Sequence, residues 1–385
     1  MENLTHSLMG ATLAELALPA GASRAARRTF FIVGIAAANL PDADLVYTRI
    51  TPAPLGSLLH HRGHTHTIAG IALLGLATIA VCLLPRVQAS IAPLRRRLWT
   101  LIGIGLASHL VLDSWNSYGV HPFWPLSARW YYGDAVYILE PWLWLSLGVA
   151  AVLNTMNVPG RLLFGVALLG LVAVGASLGV IPVAALIALL VSAAVLAALL
   201  RPREPRRRSA AALGLGLAFV AGLFVLREVA RGEVLGATVP AERPRLVDVV
   251  LSPGAANPFC WSALKIARDV TGAEYVMTRG DAAVLLPSGC GAGRAGAVEW
   301  DAPRTQSLAA LRARYRADCW VRGWMQFGRA PEIANDTISD LRYGEVPRGN
   351  FTTMVLLPPV EAARCPANLT AWRPPRADLL GDALD

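Results

Sequence analysis

The sequence predicts an all-α polytopic membrane domain of about seven to eight helices, followed by a small soluble α+β domain. Composition is the first reason: 55% of the 385 residues are hydrophobic and only 16% are charged, whereas about 25% of the residues in globular proteins are charged. The second reason is the series of long apolar segments before residue 235. The third is the region after residue 240, where proline and glycine separate shorter apolar runs.

The apolar segments are the predicted membrane helices, since about 20 apolar residues cross the hydrocarbon layer of a bilayer. The segments beginning at 66, 161, 181 and 210 are the strongest, and the first two of the chain are the weakest. All eight are 4–20, 29–41, 66–84, 98–116, 138–155, 161–180, 181–200 and 210–230. Segment 29–41 is too short for a full crossing and ends at Pro41, so a packed hairpin is the alternative there. The N-terminus lacks a basic start and a cleavage site, so we expect it in the mature protein.

Arginines at the ends of these segments indicate the orientation, because cytoplasmic loops carry an excess of basic residues. Thirteen arginines fall in one set of short loops and four in the opposite set. The thirteen are Arg24, Arg27, Arg28, Arg86, Arg95, Arg96, Arg97, Arg161, Arg201, Arg203, Arg206, Arg207 and Arg208; the four are Arg49, Arg62, Arg129 and Arg231. Both chain ends are therefore expected outside the cytoplasm. The net charge of +9 has this origin, so we expect no nucleic-acid partner.

Three regions follow from this reading. Residues 1–155 form a membrane-embedded helical domain with a metal site, 156–235 add transmembrane helices for packing, and 240–385 form an extracytoplasmic α+β domain. In the last region the predicted elements are the strands Leu246–Leu251, Glu274–Met277, Ala282–Leu286 and Thr352–Leu357 and the helix Ser307–Cys319. The four cysteines of this region predict either two disulfides, in any of three pairings, or four free thiols. They are Cys260, Cys290, Cys319 and Cys365.

Histidines are concentrated in one short stretch, His60–His66, which holds four of the seven in the chain. The predicted topology places this stretch, and the other histidines and aspartates of the first 140 residues, at the outer face of the membrane. His109 and Asp113 lie four residues apart on a predicted helix, so their side chains share one face and can hold one metal ion. The alternative is a structural His–Asp hydrogen bond inside the bundle.

The remaining candidates lie in loops or at helix ends. His61 and His66 are predicted ligands, whereas His60 and His64 are expected to face solvent, the alternative being that one of them is a ligand. Asp42 and Asp44 alternate in an extended segment after a proline, so both are expected to face the site. One can bridge two metal ions and the other can act as a base or orient a ligand, the alternative being two aspartates that cap a turn. His6 completes the ligand set. Arg62 is a loop charge or, beside a metal, a group that pairs with phosphate oxygens.

Histidine and carboxylate ligands without cysteine favour zinc, with manganese or iron as alternatives. Six candidate ligands exceed the needs of one tetrahedral ion, so two divalent ions sharing a carboxylate are expected. Such a pair activates water and binds the oxygens of a phosphoester. The predicted ligands are His6, Asp42, His61, His66, His109 and Asp113, and the predicted catalytic residues are Asp42, Asp44 and Arg62.

These motifs resemble a known family. Thr5-His6 with Gly10, Pro41-Asp42-Ala43-Asp44, His61-Arg62-Gly63-His64-Thr65-His66 and His109-x3-Asp113 are similar to the YdjM-like family of bacterial inner-membrane, metal-dependent hydrolases. The resemblance covers residues 1 to about 155, and Phe327–Pro331 and Asp340–Tyr343 resemble longer members. It implies distant kinship with zinc-dependent phospholipase C and S1/P1 nuclease. The phospholipase pattern also has a later His-x3-Glu, which this chain lacks: only His121 and Glu140 are available there.

The sequence therefore predicts a metal-dependent hydrolase of the bacterial inner membrane. A metal-activated water would attack a phosphodiester or other ester, and the position of the site near the outer leaflet favours a lipid or lipid-linked substrate. The first alternative is a transporter or a metal-binding membrane protein without catalysis, which would need polar residues across the bilayer. The second is a structural subunit whose C-terminal domain binds an envelope partner.

Overall fold

The computed structural model describes the chain except residues 86–87, 89–91, 156, 287–289, 291–292, 345–348 and 385. A helical region extends to residue 237 and a region with two antiparallel sheets follows, so the predicted order of a helical and a sheet-containing part is confirmed. Arg86, one of the thirteen topology arginines, lies outside the described residues.

The helical region contains nine described α-helices. They are α1 (Asn3–Ala17), α2 (Arg24–Asn39), α3 (Leu55–His60), α4 (Ile68–Cys82), α5 (Arg95–Asp113), α6 (Pro141–Asn154), α7 (Val158–Ser177), α8 (Val183–Leu200) and α9 (Pro205–Ala237). Short 3-10 helices join them, and two of these carry site residues: Leu40–Val46 and His64–His66. Several helices start at a side-chain cap. Ser23, Thr67 and Asn157 each accept a hydrogen bond from a backbone N–H of the first turn of α2, α4 and α7.

Four helical stretches are long and apolar enough to cross a membrane within the described part of the chain. They are Arg24–Ile50, α7, α8 and α9, and the bent pair Leu55–His66 and Ile68–Cys82, with an angle of 66° at the break, would add a fifth. Helices α1 and α6, of 15 and 14 residues, are shorter than a full crossing. Helix α5 begins with three arginines, Arg95–Arg97. The predicted count of seven to eight spans stays a prediction.

The region after residue 240 is built on two sheets. The first contains β1 (Leu246–Gly254), β2 (Asn257–Arg268), β3 (Glu274–Ala283), β4 (Val298–Trp300) and β5 (Arg304–Ser307), and the second contains β6 (Pro331–Ala334), β7 (Thr337–Asp340) and β8 (Met354–Val355). All pairs are antiparallel, and β3 lies between β2 and the pair β4 and β5. Four short helices complete it: α10 (Leu308–Ala317), α11 (Cys319–Met325), α12 (Pro359–Ala362) and α13 (Ala377–Leu380).

The predicted elements of this region are partly correct. Strand Leu246–Leu251 is the core of β1, whereas the predicted strands Glu274–Met277 and Ala282–Leu286 are one continuous strand, β3, that ends at Ala283. Only Met354–Val355 of the predicted Thr352–Leu357 is paired. The predicted helix Ser307–Cys319 is two helices, because Asp318 ends α10 and caps α11 through hydrogen bonds from the N–H groups of Trp320 and Val321.

The four cysteines after residue 240 form two disulfides, which decides between the alternatives of the sequence. Cys260 joins Cys290 and Cys319 joins Cys365, with Cα–Cα distances of 5.3 and 5.0 Å. Cys82 is free and buried, as its place in an apolar run predicts. The second bridge fixes the start of segment 366–376, which runs back over the helical region.

The helical and sheet-containing regions share hydrophobic cores. Leu55, Leu58 and Leu59 of α3 lie in one buried cluster with Trp324 and Trp372. Leu143 and Leu147 of α6 belong to another, with residues of β1–β3. The sheet-containing region therefore packs directly on the helices that carry the histidines.

Candidate metal centre

Close helix packing brings the separate motifs together. Helices α1 and α2 cross at Gly10 and Gly34, where a Cβ added to Gly10 would lie 2.4 Å from the carbonyl oxygen of Gly34. Gly105 of α5 is similarly close to Ala37 of α2, with 3.1 Å from a built Cβ to the Ala37 Cβ. Only small residues allow such approaches. The three helices converge at their ends, so residues far apart in sequence meet in one buried cluster.

Four donor atoms form the centre of that cluster: Nε2 of His66, Nε2 of His109, Oδ1 of Asp42 and Oδ2 of Asp113. The two nitrogens are 2.9 Å apart. His66 Nε2 lies 3.3 Å from each carboxylate oxygen, and His109 Nε2 lies 3.4 Å from Asp42 and 3.5 Å from Asp113. Ligands about 2.0–2.1 Å from a tetrahedral zinc ion lie roughly 3.3 Å from one another. The four nitrogen–oxygen separations match that spacing, and the nitrogen–nitrogen separation is shorter.

The outer nitrogens of both histidines are held by acceptors. His109 Nδ1 donates to the carbonyl of Ala38 at 2.6 Å, which leaves Nε2 free to bind metal. His66 Nδ1 lies 3.1 Å from Asp44 Oδ2, and the Thr65 hydroxyl donates to the same oxygen at 2.8 Å. Such acceptors behind a histidine are typical of metal ligands, because they fix the tautomer and the ring orientation. In this arrangement Asp44 orients His66.

His6 lies beside these four groups. Its ring stacks on His109 with centroids 3.7 Å apart, and its Nε2 lies 3.4 Å from Asp113 Oδ1. The ring is completely buried, and neither nitrogen makes a hydrogen bond to a described residue. An unbonded polar atom in a buried position costs free energy. A cation within reach would satisfy it.

A second group of donors adjoins the first. Asp42, Asp44 and His61 can each place one ligand atom within 4.8 Å of the others, and His61 Nδ1 lies 3.1 Å from Asp44 Oδ1. The His61 side chain is 24% exposed, whereas Asp44 is fully buried. The cluster is therefore accessible from the His61 side.

Arg62 is buried behind Asp113. Its Nε lies 3.0 Å from Asp113 Oδ2, and its Nη1 donates to the carbonyl of Asp113 at 3.1 Å and to Asn116 Oδ1 at 3.0 Å. The guanidinium also lies over the Tyr118 ring, 4.6 Å from its centroid, and the residue is 1% exposed. The backbone of Arg62 has a φ of 57°, a left-handed conformation that turns the side chain inward. These contacts fix the orientation of Asp113.

The charges of the cluster favour a bound cation. Asp42, Asp44 and Asp113 are all buried, and they share one guanidinium, that of Arg62, and the amino group of Met1, which contacts Asp113. His66 and His109 add two ring nitrogens that point at these carboxylates. Buried carboxylates need a partner charge, and the oxygen and nitrogen donors suit a divalent ion. The residues present therefore fit a metal.

The C-terminal segment covers the histidine loop. Trp372 donates from Nε1 to the carbonyl of Leu59 at 2.8 Å, and its ring contacts His121 and His64 with centroids 3.8 and 4.9 Å apart. The hydroxyl of Thr51 donates to the carbonyls of residues 367 and 368 at 3.1 and 3.2 Å. The loop that carries His61 and His66 is thus held from both sides.

Two motifs of the sheet-containing region brace the segment that follows Asp113. Arg342 donates from Nη1 to the carbonyl of Ser117 at 2.6 Å and forms an ion pair with Asp340 at 2.7 Å. Phe327 contacts Tyr118, with ring centroids 4.8 Å apart. Since Arg62 binds Asn116 and stacks on Tyr118, these contacts support the metal centre from a distance.

A second buried cluster, the ion-pair cluster, consists of Asp134, Asp248, Arg329 and Arg376. Arg329 donates to both oxygens of Asp134 at 2.9 Å and to Asp248 at 2.8 and 3.2 Å. Burial would raise the pKa of Asp248, but the charge of Arg329 and its hydrogen bonds hold that pKa at about 2. Burial also raises the pKa of Asp134, despite Arg329. The pKa of Arg329 lies well above its usual value because the two carboxylates outweigh burial.

The predicted site residues fall into clear groups. His6, Asp42, His66, His109 and Asp113 meet in the centre, His61 and Asp44 adjoin it, and Arg62 lies behind it. His64 is exposed as predicted, but the expected exposure of His60 is wrong: it is 5% exposed, with its Nε2 2.8 Å from the Thr51 hydroxyl. The sequence reasoning missed Asn116 and Tyr118. The first could have been found, since Asn116 continues the spacing of His109 and Asp113 by three residues.

His121 and Glu140 are not among the groups of metal donors found in the described part of the chain. Both ring nitrogens of His121 lack hydrogen bonds there, and burial lowers its pKa to about 3, so the ring is neutral. It lies between Trp130 and Trp372. Glu140 caps α6 by accepting from the N–H of Trp142.

Comparison with known proteins agrees with the motifs. Residues 1–185 match the family model of the YdjM inner membrane protein. A relative is the uncharacterized protein YfhP of Bacillus subtilis (strain 168), which is 28% identical over 164 residues, or 42% of this chain and 48% of YfhP. The match thus spans about half the length of that relative. No solved structure matches the chain, so the implied kinship with phospholipase C and the nucleases stays a prediction.

Proposed function

We propose that this chain, whose residues 1–185 match the YdjM inner membrane protein family, is a membrane-bound, metal-dependent hydrolase of phosphodiesters or other esters. The observation that carries the proposal is the set of four converging buried donor atoms of His66, His109, Asp42 and Asp113. Beside it lies a second, partly exposed group of only three donors, Asp42, Asp44 and His61, which would leave a position open for water. A structural His–Asp hydrogen bond would need only one histidine and one aspartate. It would explain neither the four converging donors nor His61 and Asp44 beside them.

Zinc is the favoured metal, with manganese or iron as alternatives. His66, His109, Asp42 and Asp113 would hold one ion, with His6 beside it, and Asp44, His61 and Asp42 would hold the second. Asp42 then belongs to both groups, as the carboxylate shared by two ions would. When bound, such ions lower the pKa of water and bind the oxygens of a phosphoryl group.

The chain's own residues provide the proton acceptor and the orientation. Asp42 or Asp44 would accept the proton of the attacking water, and Asp44 also holds the His66 ring and the Thr65 hydroxyl. The predicted contact of Arg62 with phosphate stays a prediction. Its burial and its bonds to Asp113 and Asn116 support a positioning role for its guanidinium.

The rim of the site supports a lipid or lipid-linked substrate. Beside the partly exposed His61, the 3-10 helix that carries Asp42 and Asp44 ends in Leu45 and Val46, which are 48% and 85% exposed. Ile68, at the start of α4, is 52% exposed. Apolar residues around a polar site favour a substrate that approaches from the bilayer.

The topology belongs to the same proposal. We place seven to eight helices in or against the membrane, with α1, α5 and α6 as shorter helices among the longer spans. The metal centre and both chain ends lie outside the cytoplasm. The two disulfides support a position of the C-terminal region outside the cytoplasm, because disulfides persist in oxidising compartments.

The competing function is a metal-binding membrane protein or transporter without catalysis. It would use the same donors, so metal binding alone does not distinguish it from the hydrolase. Catalytic turnover distinguishes the two functions, because a binding protein holds metal without cleaving bis-p-nitrophenyl phosphate or a phospholipid.

The test uses the full chain purified in detergent without chelator. We expect one to two zinc or manganese ions per chain and phosphodiesterase activity that chelation removes. His109→Ala should lose both, whereas the matched control His64→Ala, an exposed histidine of the same motif, should keep both. Metal without cleavage of either substrate in wild type would favour the binding protein. A folded wild type that stays metal-free after incubation with zinc and manganese would refute the metal centre itself.

A further inference from the structure

A basic cavity lies apart from the metal centre, between residues 129–132 and residues 373–378. Its volume is about 460 Å³, and four arginines line it together with Trp130, Tyr132, Asp248 and Asp378. The arginines are Arg129, Arg329, Arg373 and Arg376, and we call the cavity the arginine pocket. None of the metal-centre residues lines it.

The pocket carries unbalanced positive charge. Arg329 pairs with Asp134 and Asp248, and Arg376 pairs with Asp248 and lies 3.4 Å from Asp378, so the excess comes from the other two arginines. Among the residues that the structure describes, the guanidinium groups of Arg129 and Arg373 have neither an ion pair nor a hydrogen bond. Both arginines are exposed, and their segments are joined because the N–H of Arg373 donates to the carbonyl of Ala128 at 3.2 Å. Two guanidinium groups without a described partner thus line the pocket from adjoining segments.

An apolar tip lies in the same loop, three residues before Arg129. Leu126 is 94% exposed and Phe123 is 45% exposed. The loop is fixed beside the membrane helices: the carbonyl of Pro122 accepts from the N–H of Ile68, the first residue of α4, at 2.9 Å. At its other end Arg227 of α9 donates to the carbonyl of Gly133 at 2.6 Å. Arg227 directly follows the apolar part of that span, so the loop lies at the level of the bilayer surface.

We propose that the arginine pocket binds the phosphate of an anionic phospholipid from the surrounding leaflet, while Leu126 and Phe123 enter its acyl region. Guanidinium groups pair with phosphate oxygens, and exposed apolar and aromatic side chains beside them suit the lipid interface. The walls come from both regions of the protein, residues 129–132 on one side and 373–378 on the other. A bound headgroup would therefore hold the C-terminal segment on the membrane region.

The test is lipid binding to the full chain in zwitterionic detergent, followed by thermal unfolding. Dioctanoyl phosphatidylglycerol is compared with dioctanoyl phosphatidylcholine, which has the same acyl chains, and with inorganic phosphate. We expect the anionic lipid to bind at least tenfold more tightly and to raise the melting temperature more. Each basic residue near a membrane surface contributes about fivefold in affinity for anionic lipid. Arg129→Ala with Arg373→Ala should therefore lose most of that preference, and Leu126→Ser should weaken lipid binding further.

Arg316→Ala is the matched control, because Arg316 of α10 is an exposed arginine that does not line the pocket, and the preference of this variant for the anionic lipid should be unchanged. Both arginines of the double variant are exposed, so it should fold and keep its metal content, which separates this proposal from the metal centre. Equal binding of the two lipids would overturn the proposal. So would a result in which inorganic phosphate stabilises the protein as well as the anionic lipid does and Leu126→Ser has no effect.

Discussion

The metal centre and the ion-pair cluster are both buried groups of carboxylates, but they differ in how charge is balanced. In the ion-pair cluster, Asp134 and Asp248 face Arg329 and Arg376, so two negative groups meet two positive ones. Arg329 donates four hydrogen bonds to those carboxylates. In the metal centre, three carboxylates share the guanidinium of Arg62 and one amino group.

The difference shows how a binding centre can be separated from a structural one. A structural cluster supplies its own counter-charges, because unpaired buried charges destabilise a fold. The metal centre leaves both nitrogens of His6 without hydrogen bonds within the described residues, and it places Nε2 of His66 and of His109 face to face. Donor atoms that converge in this way could hold a cation from outside the chain.

Breaking the ion-pair cluster should give the largest effect, and that effect should be on stability. Arg329→Met leaves Asp134 and Asp248 buried without their main partner. Removing one partner of a buried pair typically costs about 3–5 kcal/mol of folding free energy. We expect a clear fall in the melting temperature of the detergent-purified chain, measured by thermal unfolding. The metal content of the fraction that stays folded should not change.

Arg231→Ala provides the control for this substitution. Arg231 is exposed and lines a cavity that Arg329 also lines, so its loss should change stability by less than about 0.5 kcal/mol. If Arg329→Met were as stable as wild type, the ion-pair cluster would not stabilise the fold, and the contrast with the metal centre would fail.

Much of the metal centre follows from sequence because its ligands obey local spacing. His109 and Asp113 share a helical face at a separation of four residues. Asp42 and Asp44 follow Pro41 as predicted, but the expected extended segment is wrong, because both lie in the 3-10 helix Leu40–Val46. Arg62 is different: its inward direction depends on a left-handed backbone in a loop, which residue spacing does not reveal. Its partners Asn116 and Tyr118 come from another segment, so only the folded chain assigns its contacts.

The sheet-containing region was harder to predict for a related reason. Strand β2, from Asn257 to Arg268, is the longest strand in the described chain and was missed. It pairs on both sides with β1 and β3 and is buried over most of its length, so it lacks an alternating pattern. Pro258 and the buried Lys265, which pairs with Glu242, also obscure it. The contacts of Trp372 and Arg342 with the histidine region join residues more than 200 positions apart, which no local pattern encodes.

Arg62 offers a smaller and sharper test, because it is the only guanidinium within the metal centre as the structure describes it. Arg62→Lys keeps the charge but loses the forked contact with Asp113 and Asn116. We expect metal affinity to fall by about 10- to 100-fold, the range typical of groups that orient a ligand. The measurement is competition with a zinc chelator of known affinity, on the full chain in detergent.

Arg329→Met is the counterpart for this second test, since it should lower stability and leave the affinity of the folded chain for metal unchanged. A merely structural Arg62 would behave in the same way as Arg329. The positioning role of Arg62 would be contradicted if Arg62→Lys lost as much stability as Arg329→Met and kept its metal affinity. The two clusters would then not differ in the role of their arginines.

Thr65 gives the smallest expected effect and tests whether the orienting chain extends beyond Asp44. Its hydroxyl donates to Asp44 Oδ2 at 2.8 Å, and that oxygen lies 3.1 Å from His66 Nδ1. Thr65→Val keeps the shape and removes the donor, which is typically worth about 1 kcal/mol, so metal affinity should fall about fivefold in the same competition assay. Thr65→Ser keeps the hydroxyl and should bind as wild type does. Since Thr65 is only half-buried, a loss as large as that of Arg62→Lys would mean that Asp44 binds metal directly and needs this hydroxyl to do so.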